Sequence, residues 1–238
     1  MYGSTSRHHF IEITQSLVNT TNNEFGPYLL EYNPIYYYLE CGYIFFYSQE
    51  QTGGLDLKFV VNEYDPDGEN YYTQMGPYEI SLINTKNYNE GYCLFENDRI
   101  YYCSDEEDSF DIYELPFTID SIFVENLTQS HTDSIKPIEN INSEAEDKCP
   151  YVVDSFMVFT SNRPGGYGGF DLYYSEYIDG KWVEPKNFGN SINSEFDEYR
   201  PIIRFYREIP NDLMIFSSNR PGGSGGFDLY YTGIEVRR

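Results

Sequence analysis

The residues best suited to chemistry in this chain are its carboxylates, and the densest group of them is Asp105-Glu106-Glu107-Asp108. Such a cluster can meet a basic protein patch or gather cations, and the alternative is a solvated loop that aids solubility. Two carboxylates at a defined separation in a cleft can instead hydrolyse a glycosidic bond. Because the chain holds 39 acidic residues, the sequence does not single out such a pair. We therefore predict a candidate interaction surface at Asp105, Glu106, Glu107 and Asp108, and no catalytic residue.

One glycine-rich string imitates a catalytic motif. Gly222-Gly-Ser-Gly-Gly226 satisfies the Gly-x-Ser-x-Gly pattern of a nucleophile elbow, but that pattern requires a strand, a sharp turn and a helix. Its twin, Gly165-Gly-Tyr-Gly-Gly169, carries Tyr167 in place of the serine. A string that accepts either side chain indicates a turn rather than a nucleophile.

Two patterns concern metal ions. Asp65-Pro-Asp67-Gly68-Glu69-Asn70 offers oxygen ligands at alternate positions, as a calcium loop does, but the distal bidentate Glu is missing. His8, His9 and His131 have no Cys or carboxylate at metal-ligand spacing, which favours exposed histidines. We predict no cofactor and no metal ion, with calcium at residues 65–70 as the alternative.

A repeat organises the whole chain. Its clearest copies are Phe159-Thr-Ser-Asn-Arg-Pro-Gly-Gly-Tyr-Gly-Gly-Phe-Asp-Leu-Tyr-Tyr174 and Phe216-Ser-Ser-Asn-Arg-Pro-Gly-Gly-Ser-Gly-Gly-Phe-Asp-Leu-Tyr-Tyr231, with degenerate copies at residues 45–57 and 100–113. A second element, written most clearly as Ile192-Asn-Ser-Glu-Phe-Asp-Glu-Tyr-Arg-Pro201, returns at residues 141–150, 83–92 and 18–27. Both elements recur in the same order, so we read repeat units at residues 18–82, 83–140, 141–191 and 192–238.

The runs between these elements predict strands. They are short, rich in β-branched and aromatic residues, and bounded by Gly, Pro, Asn and Asp, and no stretch carries a helical stripe. Asp179-Gly180 and Asp67-Gly68 stand where hairpin turns belong. About four strands in a unit of roughly 50 to 60 residues is the size of a propeller blade. The predicted fold is an all-β, single-domain propeller of four blades with four antiparallel strands each, closed by residues 8–17 pairing with the last blade.

The two repeat elements resemble the TolB-type, WD-like β-propeller repeats of Gram-negative cell-envelope proteins. The resemblance is specific over residues 141–238 and weaker over residues 18–113. It implies a binding platform of the cell envelope, periplasmic or associated with the outer membrane, whose export signal is absent from this sequence. On that basis we expect a non-catalytic module that binds a protein partner, and not an enzyme. The alternative is a carbohydrate-binding or glycoside-hydrolysing propeller.

The repeat motif itself predicts structural roles. Proline fixes φ, glycine pairs allow unusual backbone conformations, and aspartate accepts hydrogen bonds from loop amides. Residues that recur in every unit usually serve the unit. We assign such roles to the two motif copies, which contribute Asn162, Arg163, Pro164, Asp171, Asn219, Arg220, Pro221 and Asp228.

Composition narrows the partner. The formal net charge of -24 disfavours nucleic acid and anionic membrane surfaces, and no apolar run is long enough to span a membrane. We expect a protein partner with a basic patch, or a glycan or peptidoglycan. A glycan-binding lectin would expose Tyr side chains or Trp182, the single tryptophan, on the rim of a blade.

The four cysteines lack Cys-x-x-Cys spacing. Cys93 and Cys103 flank a turn predicted at Asn97-Asp98, so a three-residue loop would let them face each other and a two-residue loop would send them to opposite faces. We favour free, buried thiols.

Overall fold

The computed structural model describes residues 20, 22–32, 42–51, 54–64, 72–130, 135–204 and 211–236. Their strands form four antiparallel sheets, numbered here in chain order. Sheet 1 contains β1 (Glu24–Tyr32), β2 (Gly42–Gln51), β3 (Gly54–Tyr64) and β4 (Tyr72–Glu79), and sheet 2 contains β5 (Glu90–Glu96), β6 (Arg99–Ser104) and β7 (Asp111–Pro116). Sheet 3 contains β8 (Asp147–Val153), β9 (Phe156–Ser161), β10 (Asp171–Ile178), β11 (Lys181–Trp182) and β12 (Lys186–Asn187), and sheet 4 contains β13 (Glu198–Arg204), β14 (Asp212–Ser218) and β15 (Asp228–Ile234).

The prediction of an all-β chain is confirmed, but the strand count is not uniform. Among the described residues, only sheet 1 has four strands in simple order, since sheets 2 and 4 have three and sheet 3 adds two short strands to three long ones. One short helix, α1 (Phe123–Thr128), lies in a part of the chain where we predicted none. The closing strand at residues 8–17, the calcium loop at residues 65–70, the three histidines and Cys41 lie outside the described residues.

Tight turns set the register of the hairpins. Asn97 and Asp98, with φ of 52° and 55°, join β5 to β6, and Asp179 and Gly180, with φ of 51° and 83°, join β10 to β11. Positive φ at both central residues is the conformation that matches the twist of two antiparallel strands. The predicted hairpin at Asp179-Gly180 is confirmed.

Every sheet carries a β-bulge in its first strand, at the same place. The bulged residues have φ between 52° and 62° and are Gly26, Tyr92, Cys149 and Arg200. In three sheets the bulged main-chain N–H donates to a side chain of the preceding sheet. The acceptors are Ser48 Oγ at 3.0 Å, Cys103 Sγ at 3.3 Å and Thr160 Oγ1 at 3.3 Å. Each of these three bonds holds a sheet against the sheet that precedes it in the chain.

The apolar core lies between successive sheets, because both faces of each sheet are covered by alternating side chains. Phe46 and Phe95 pack between sheets 1 and 2, with ring centroids 4.5 Å apart. Cys93 belongs to this cluster, whereas Cys103 belongs to the cluster between sheets 2 and 3. The two-residue turn has therefore sent the two thiols to opposite faces, and both are free and buried.

An asparagine of the second repeat element makes a pair of hydrogen bonds to the preceding sheet. Asn193 Nδ2 donates to the Leu172 carbonyl at 3.0 Å, and its Oδ1 accepts the Leu172 N–H at 2.8 Å. Asn142 makes the same pair of bonds to Ile112, and Asn84 makes it to Leu57. The same three carbonyls also accept a main-chain N–H each, from Phe188, Ile138 and Ile80. The asparagine therefore ties the second element to a strand of the first, which explains why both elements recur together.

Gly168 gives the first prediction. A Cβ at this residue would lie 1.9 Å from the Phe196 carbonyl oxygen and 2.8 Å from that of Ser194, so the backbone of the next sheet's loop must move. We expect Gly168→Ala to destabilise the protein by about 2–3 kcal/mol, or to lower Tm by about 4–12 °C. Thermal unfolding measures the change. The neighbouring Tyr167→Ala, which alters a half-exposed side chain, should stay within about 0.5 kcal/mol of wild type, and equal losses would contradict the contact.

Candidate functional site

Side chains from the first strands of the four sheets approach one another. At their amino-terminal ends the guanidinium of Arg200 lies 5.4 Å from the ring centre of Phe25 and 5.3 Å from that of Tyr92. Arg200 Nη2 also donates to the Tyr92 hydroxyl at 3.3 Å. These contacts join sheets 4, 1 and 2. The side chains that meet at this end are aromatic or cationic. None of the four bulged residues is a carboxylate.

At the opposite end of the same strands, a cavity of about 230 Å³ opens between the four first strands. It is lined by Tyr28, Glu96, Tyr151, Val152, Val153, Ile203 and Arg204, so each first strand contributes to it. We call it the axial pocket. Its volume is below the usual range for drug-sized ligands, which suits a short segment of a larger ligand.

Glu96 is the acidic side chain of the axial pocket. Two hairpins position it, because Asn97 Nδ2 donates to the Asp154 carbonyl at 2.7 Å and the Asp154 N–H donates to Glu96 Oε1 at 3.1 Å. Burial raises the pKa of Glu96 above its ordinary value, and the charge of Asp154 raises it further, against the opposing effect of that hydrogen bond. A carboxylic acid that keeps its proton at higher pH is suited to general acid catalysis.

The other polar groups of the pocket are neutral donors and one cation. The Tyr28 hydroxyl donates to the Phe95 carbonyl at 2.8 Å, and burial raises the pKa of Tyr28 to about 12. Burial also raises the pKa of Tyr151, with a smaller opposing effect from Arg204. The pocket thus combines one acid, two phenols and a guanidinium with the apolar residues Val152, Val153 and Ile203, a set suited to hydroxyl-rich ligands.

A larger cavity, about 380 Å³, lies off the axis beside α1. The acidic side chain in its lining, Asp120, already accepts the Ile122 N–H at 3.0 Å as part of the turn that begins the helix. Among the described residues, no lysine, arginine or histidine lines this cavity. It therefore offers less chemistry than the axial pocket despite its size.

The two arginines of the repeat motif bind inside the fold. Arg163 Nη2 donates to Asp147 Oδ1 and to the Ile141 carbonyl, both at 2.6 Å, and its Nε donates to Ser161 Oγ at 3.0 Å. Arg220 repeats this network on Glu198 at 2.7 Å, the Ile192 carbonyl at 2.6 Å and Ser218 Oγ at 3.1 Å. Asp147 and Glu198 are fully buried, so each arginine neutralises a carboxylate that water does not reach.

The remaining motif residues shape the glycine-rich loops. Asn162 Oδ1 and Asn219 Oδ1 each accept a main-chain N–H at 2.8 Å, from Glu146 and Asp197. Asp171 accepts the N–H groups of Tyr167 and Gly168 at 2.6 and 3.0 Å, and Asp228 accepts that of Ser224 at 2.8 Å. Pro164 and Pro221 begin the turns. Ser224 stands in a loop followed by β15, so the helix of a nucleophile elbow is missing there.

The four carboxylates at residues 105–108 differ in their contacts. Asp105 occupies the position of Asn162, since its Oδ1 accepts the Asn89 N–H at 2.7 Å. Glu106, Glu107 and Asp108 are exposed, and Asp108 has a φ of 75°. The predicted surface of four carboxylates therefore contains three free to meet solvent, and the fourth closes a loop.

Sheet 2 retains two buried carboxylates without an arginine. Glu90 is 1% exposed and Asp111 is 7% exposed, and they stand where Asp147 and Asp171 stand in sheet 3. Burial raises the pKa of Glu90 to about 7, with the charge of Asp56 adding to the rise against hydrogen bonds from Thr85 and Ser104. Burial also raises the pKa of Asp111 to about 6, helped by the charges of Asp147 and Glu107.

These shifts predict an unusual pH dependence. Because the folded protein holds the Glu90 proton more tightly than the unfolded chain, this group's contribution to stability is lost as pH rises from about 4.5 through about 7. We expect Glu90→Gln to stabilise the protein by about 2 kcal/mol at pH 8 and by almost nothing at pH 5. Tm measured at both values tests this. A Glu107→Gln control, changing an exposed neighbour, should show no such pH-dependent difference, and a constant effect of Glu90→Gln would contradict the assignment.

Trp182 is not available as a sugar-stacking surface. It is 3% exposed and packs edge-on against Tyr101 and Tyr177, with ring centroids 6.3 and 5.2 Å away. No group of three or more His, Cys, Asp and Glu side chains among the described residues has the geometry to hold a metal ion. Across the same residues, no helix combines the length and apolar character needed to cross a membrane.

No protein-family model and no curated protein matches this sequence, whereas solved structures match it at the level of the fold. A thermostable family-43 glycoside hydrolase is 13% identical, with a TM-score of 0.57 over 90% of this chain and 72% of that chain. An exo-1,5-alpha-L-arabinanase from a bovine ruminal metagenomic library is 11% identical, with a TM-score of 0.56 over 90% of this chain and 75% of that chain. An endo-arabinase from Bacteroides thetaiotaomicron is 14% identical, with a TM-score of 0.57 over 87% of this chain and 74% of that chain. At these identities the likeness shows the fold alone, a β-propeller.

These matches correct three linked predictions. The resemblance to TolB-type, WD-like repeats is wrong, because the structures that match are glycoside hydrolases. The non-catalytic, protein-binding role that rested on this resemblance is overturned by the same finding, as is the prediction that the chain is not an enzyme. The finding favours the alternative, a carbohydrate-active propeller.

Proposed function

We propose that this protein is a carbohydrate-active β-propeller that binds a glycan at the axial pocket and hydrolyses a glycosidic bond there. The observation that carries the proposal is Glu96, a partly buried carboxylic acid with a raised pKa, in a pocket to which every first strand contributes. The fold shared with glycoside hydrolases supports it independently.

Glycoside hydrolysis requires one carboxylic acid and one carboxylate. Glu96 is suited to the acid role, in which it gives its proton to the leaving glycosidic oxygen. Asp154 is the second carboxylate of the proposal, since its charge acts on Glu96 and its main chain is bonded to Glu96. It would take a proton from the attacking water, whose oxygen ends on the anomeric carbon. Alternatively, it would attack that carbon itself and form a glycosyl-enzyme, which a water deprotonated by Glu96 then hydrolyses. Tyr28, Tyr151 and Arg204 would hold the sugar hydroxyls.

Two of the solved neighbours, an exo-1,5-alpha-L-arabinanase and an endo-arabinase, support a choice of substrate class. We propose arabinose-containing polysaccharides as the first candidates. The test is release of reducing ends from linear arabinan, arabinoxylan, xylan and cellulose by the purified protein. Product from an arabinose-containing polymer supports the proposal, and no product from any polymer, with no retention on any of them in affinity electrophoresis, overturns it.

The four sheets are, in this proposal, four blades around one axis. The support is the contact of Arg200 in sheet 4 with Phe25 in sheet 1, which joins the last sheet to the first. Closure by residues 8–17 stays a prediction, in keeping with a last blade that has three strands among the described residues. A periplasmic or outer-membrane location also stays a prediction, and secretion is compatible with an enzyme that acts on polysaccharides.

A further inference from the structure

Three sheets share a pair of aromatic rings at equivalent places. The pairs are Phe159 with Tyr173, Phe216 with Tyr230, and Tyr102 with Tyr113. Their ring centroids are 6.0, 6.0 and 5.3 Å apart, and their interplanar angles are 26°, 23° and 21°. The repeat has therefore preserved this two-ring surface in sheet 2 as well as in sheets 3 and 4.

In sheets 3 and 4 a guanidinium covers the surface. The central carbon of Arg163 lies 5.2 Å and 4.9 Å from the two ring centres of its pair, and that of Arg220 lies 5.5 Å and 4.9 Å from those of its own. Both groups also bond a buried carboxylate, a serine hydroxyl and a main-chain carbonyl, as described above. Planar stacking combined with fixed acceptors selects a guanidinium over an ammonium.

Sheet 2 keeps the acceptors of this network. Glu90 is paired in register with Ser104, as Asp147 is with Ser161 and Glu198 is with Ser218. Ile83 supplies the carbonyl at the sequence position of Ile141 and Ile192. The arginine itself is missing, since Glu106 stands in its place, and no lysine or arginine of the described residues lies over Tyr102 or Tyr113.

Three buried polar atoms of sheet 2 lack a hydrogen-bond partner within the described structure, and one of them is Glu114 Oε2. The other two are the hydroxyl of Tyr113, a residue 1% exposed, and Oδ1 of Asp111, a residue 7% exposed. Tyr113 is paired in register with Tyr102, and Asp111 is paired in register with Ser104, one of the acceptors. In sheet 3 the counterpart of Asp111, Asp171, is bonded to Asn187 and to two loop N–H groups. Buried groups of this kind are costly unless something binds them.

We propose that sheet 2 binds the guanidinium group of a ligand over Tyr102 and Tyr113, at the place that Arg163 and Arg220 fill in sheets 3 and 4. Glu90, Ser104 Oγ and the Ile83 carbonyl accept its N–H groups. The ligand enters from the rim, where the exposed side chain of Glu106 moves aside and then adds a second negative charge beside the cation. This site is separate from the axial pocket and does not depend on hydrolytic activity.

The first test is thermal unfolding at pH 8 with methylguanidinium or agmatine, and with n-butylammonium as a cation of different shape. We expect a saturable rise in Tm of about 2–4 °C at about five times the Kd of the guanidinium compound. The ammonium compound should give a much smaller rise. Absence of a saturable rise, or an equal rise with the ammonium compound, would overturn the proposal.

Variants locate the site. Glu106→Arg fills it from within the chain, so it should raise Tm without ligand and abolish the response to agmatine. Glu107→Arg makes the same charge change at the next exposed residue and should keep the response, while Glu90→Gln should lose it. A response of Glu106→Arg equal to that of wild type would show that the compound binds elsewhere. A parallel titration with acetyl-arginine amide distinguishes two sources of the guanidinium group, an arginine side chain of a protein and a small metabolite. A protein side chain brings flanking amides that a small metabolite lacks.

Discussion

An Arg163→Met variant is expected to unfold about 6–20 °C below wild type, because removing one partner of a buried ion pair costs about 3–5 kcal/mol. The carboxylate of Asp147 is fully buried and would lose its ion pair with Arg163, together with the bonds that Arg163 gives to Ser161 and Ile141. Methionine keeps most of the side-chain volume over the rings of Phe159 and Tyr173, so the loss reports charge and hydrogen bonding rather than a cavity. Thermal or urea unfolding measures it.

Two controls make this result interpretable. Arg99→Met breaks the pair of Arg99 with Glu114, whose side chains are 33% and 23% exposed, and should cost less than about 1 kcal/mol. Asp147→Asn in the Arg163→Met background removes the orphaned charge and should recover part of the loss. If Arg163→Met were as mild as Arg99→Met, the structural role of the repeated arginine would be refuted.

Glu96→Gln should lower kcat on a polysaccharide by about 10² to 10⁴, the usual contribution of a general acid, with little change in KM. Glutamine still accepts the Asp154 N–H through its amide oxygen, so the two hairpins stay in place while the transferable proton is lost. An aryl glycoside with an acidic leaving group should restore much of the rate, since its departure needs little protonation. Steady-state kinetics on both substrates test the assignment.

The pH profile provides a second readout for Glu96. A general acid must be protonated, and burial raises the pKa of this group, so wild-type kcat/KM should fall as pH rises above a value higher than that of an ordinary glutamate. The variant should lose that limb of the profile. Glu184→Gln, at an exposed carboxylate, serves as the matched control and should behave as wild type. Unchanged kcat in Glu96→Gln with both substrates would remove Glu96 from the mechanism.

Much of the fold was predictable because its signals are local. The turn at Asp179-Gly180 and the strands beside it depend on neighbouring residues. The asparagine of each second element recurs at the same place in its repeat, and it binds a strand residue 21 to 30 residues earlier in the chain. The short helix was missed because six residues are too few to show a helical period, and its first residue has no capping side chain. The strand count varied between sheets because outer strands depend on loops that the repeat does not constrain.

The candidate site was not predictable for the opposite reason. Glu96 and Asp154 belong to different sheets, 58 residues apart, and only the stacking of one hairpin on another brings them together. Among 39 acidic residues neither stood out. The glycine-rich strings suggested a family, but their contacts are internal: Asp171 binds its own loop and Arg163 its own sheet. Such residues report how a propeller is built, and therefore carry little information about what it binds.

The bulge in each first strand combines a constant main-chain bond with a side chain that differs from sheet to sheet. At this position the bond to the preceding sheet uses the main-chain N–H, as in the bond from Arg200 to Thr160, and every residue except proline has that group. The four sheets accordingly carry a glycine, a tyrosine, a cysteine and an arginine there, all with the same backbone conformation. A substitution at a bulge therefore keeps this main-chain bond and changes side-chain contacts between sheets, such as those of Arg200 with Phe25 and Tyr92.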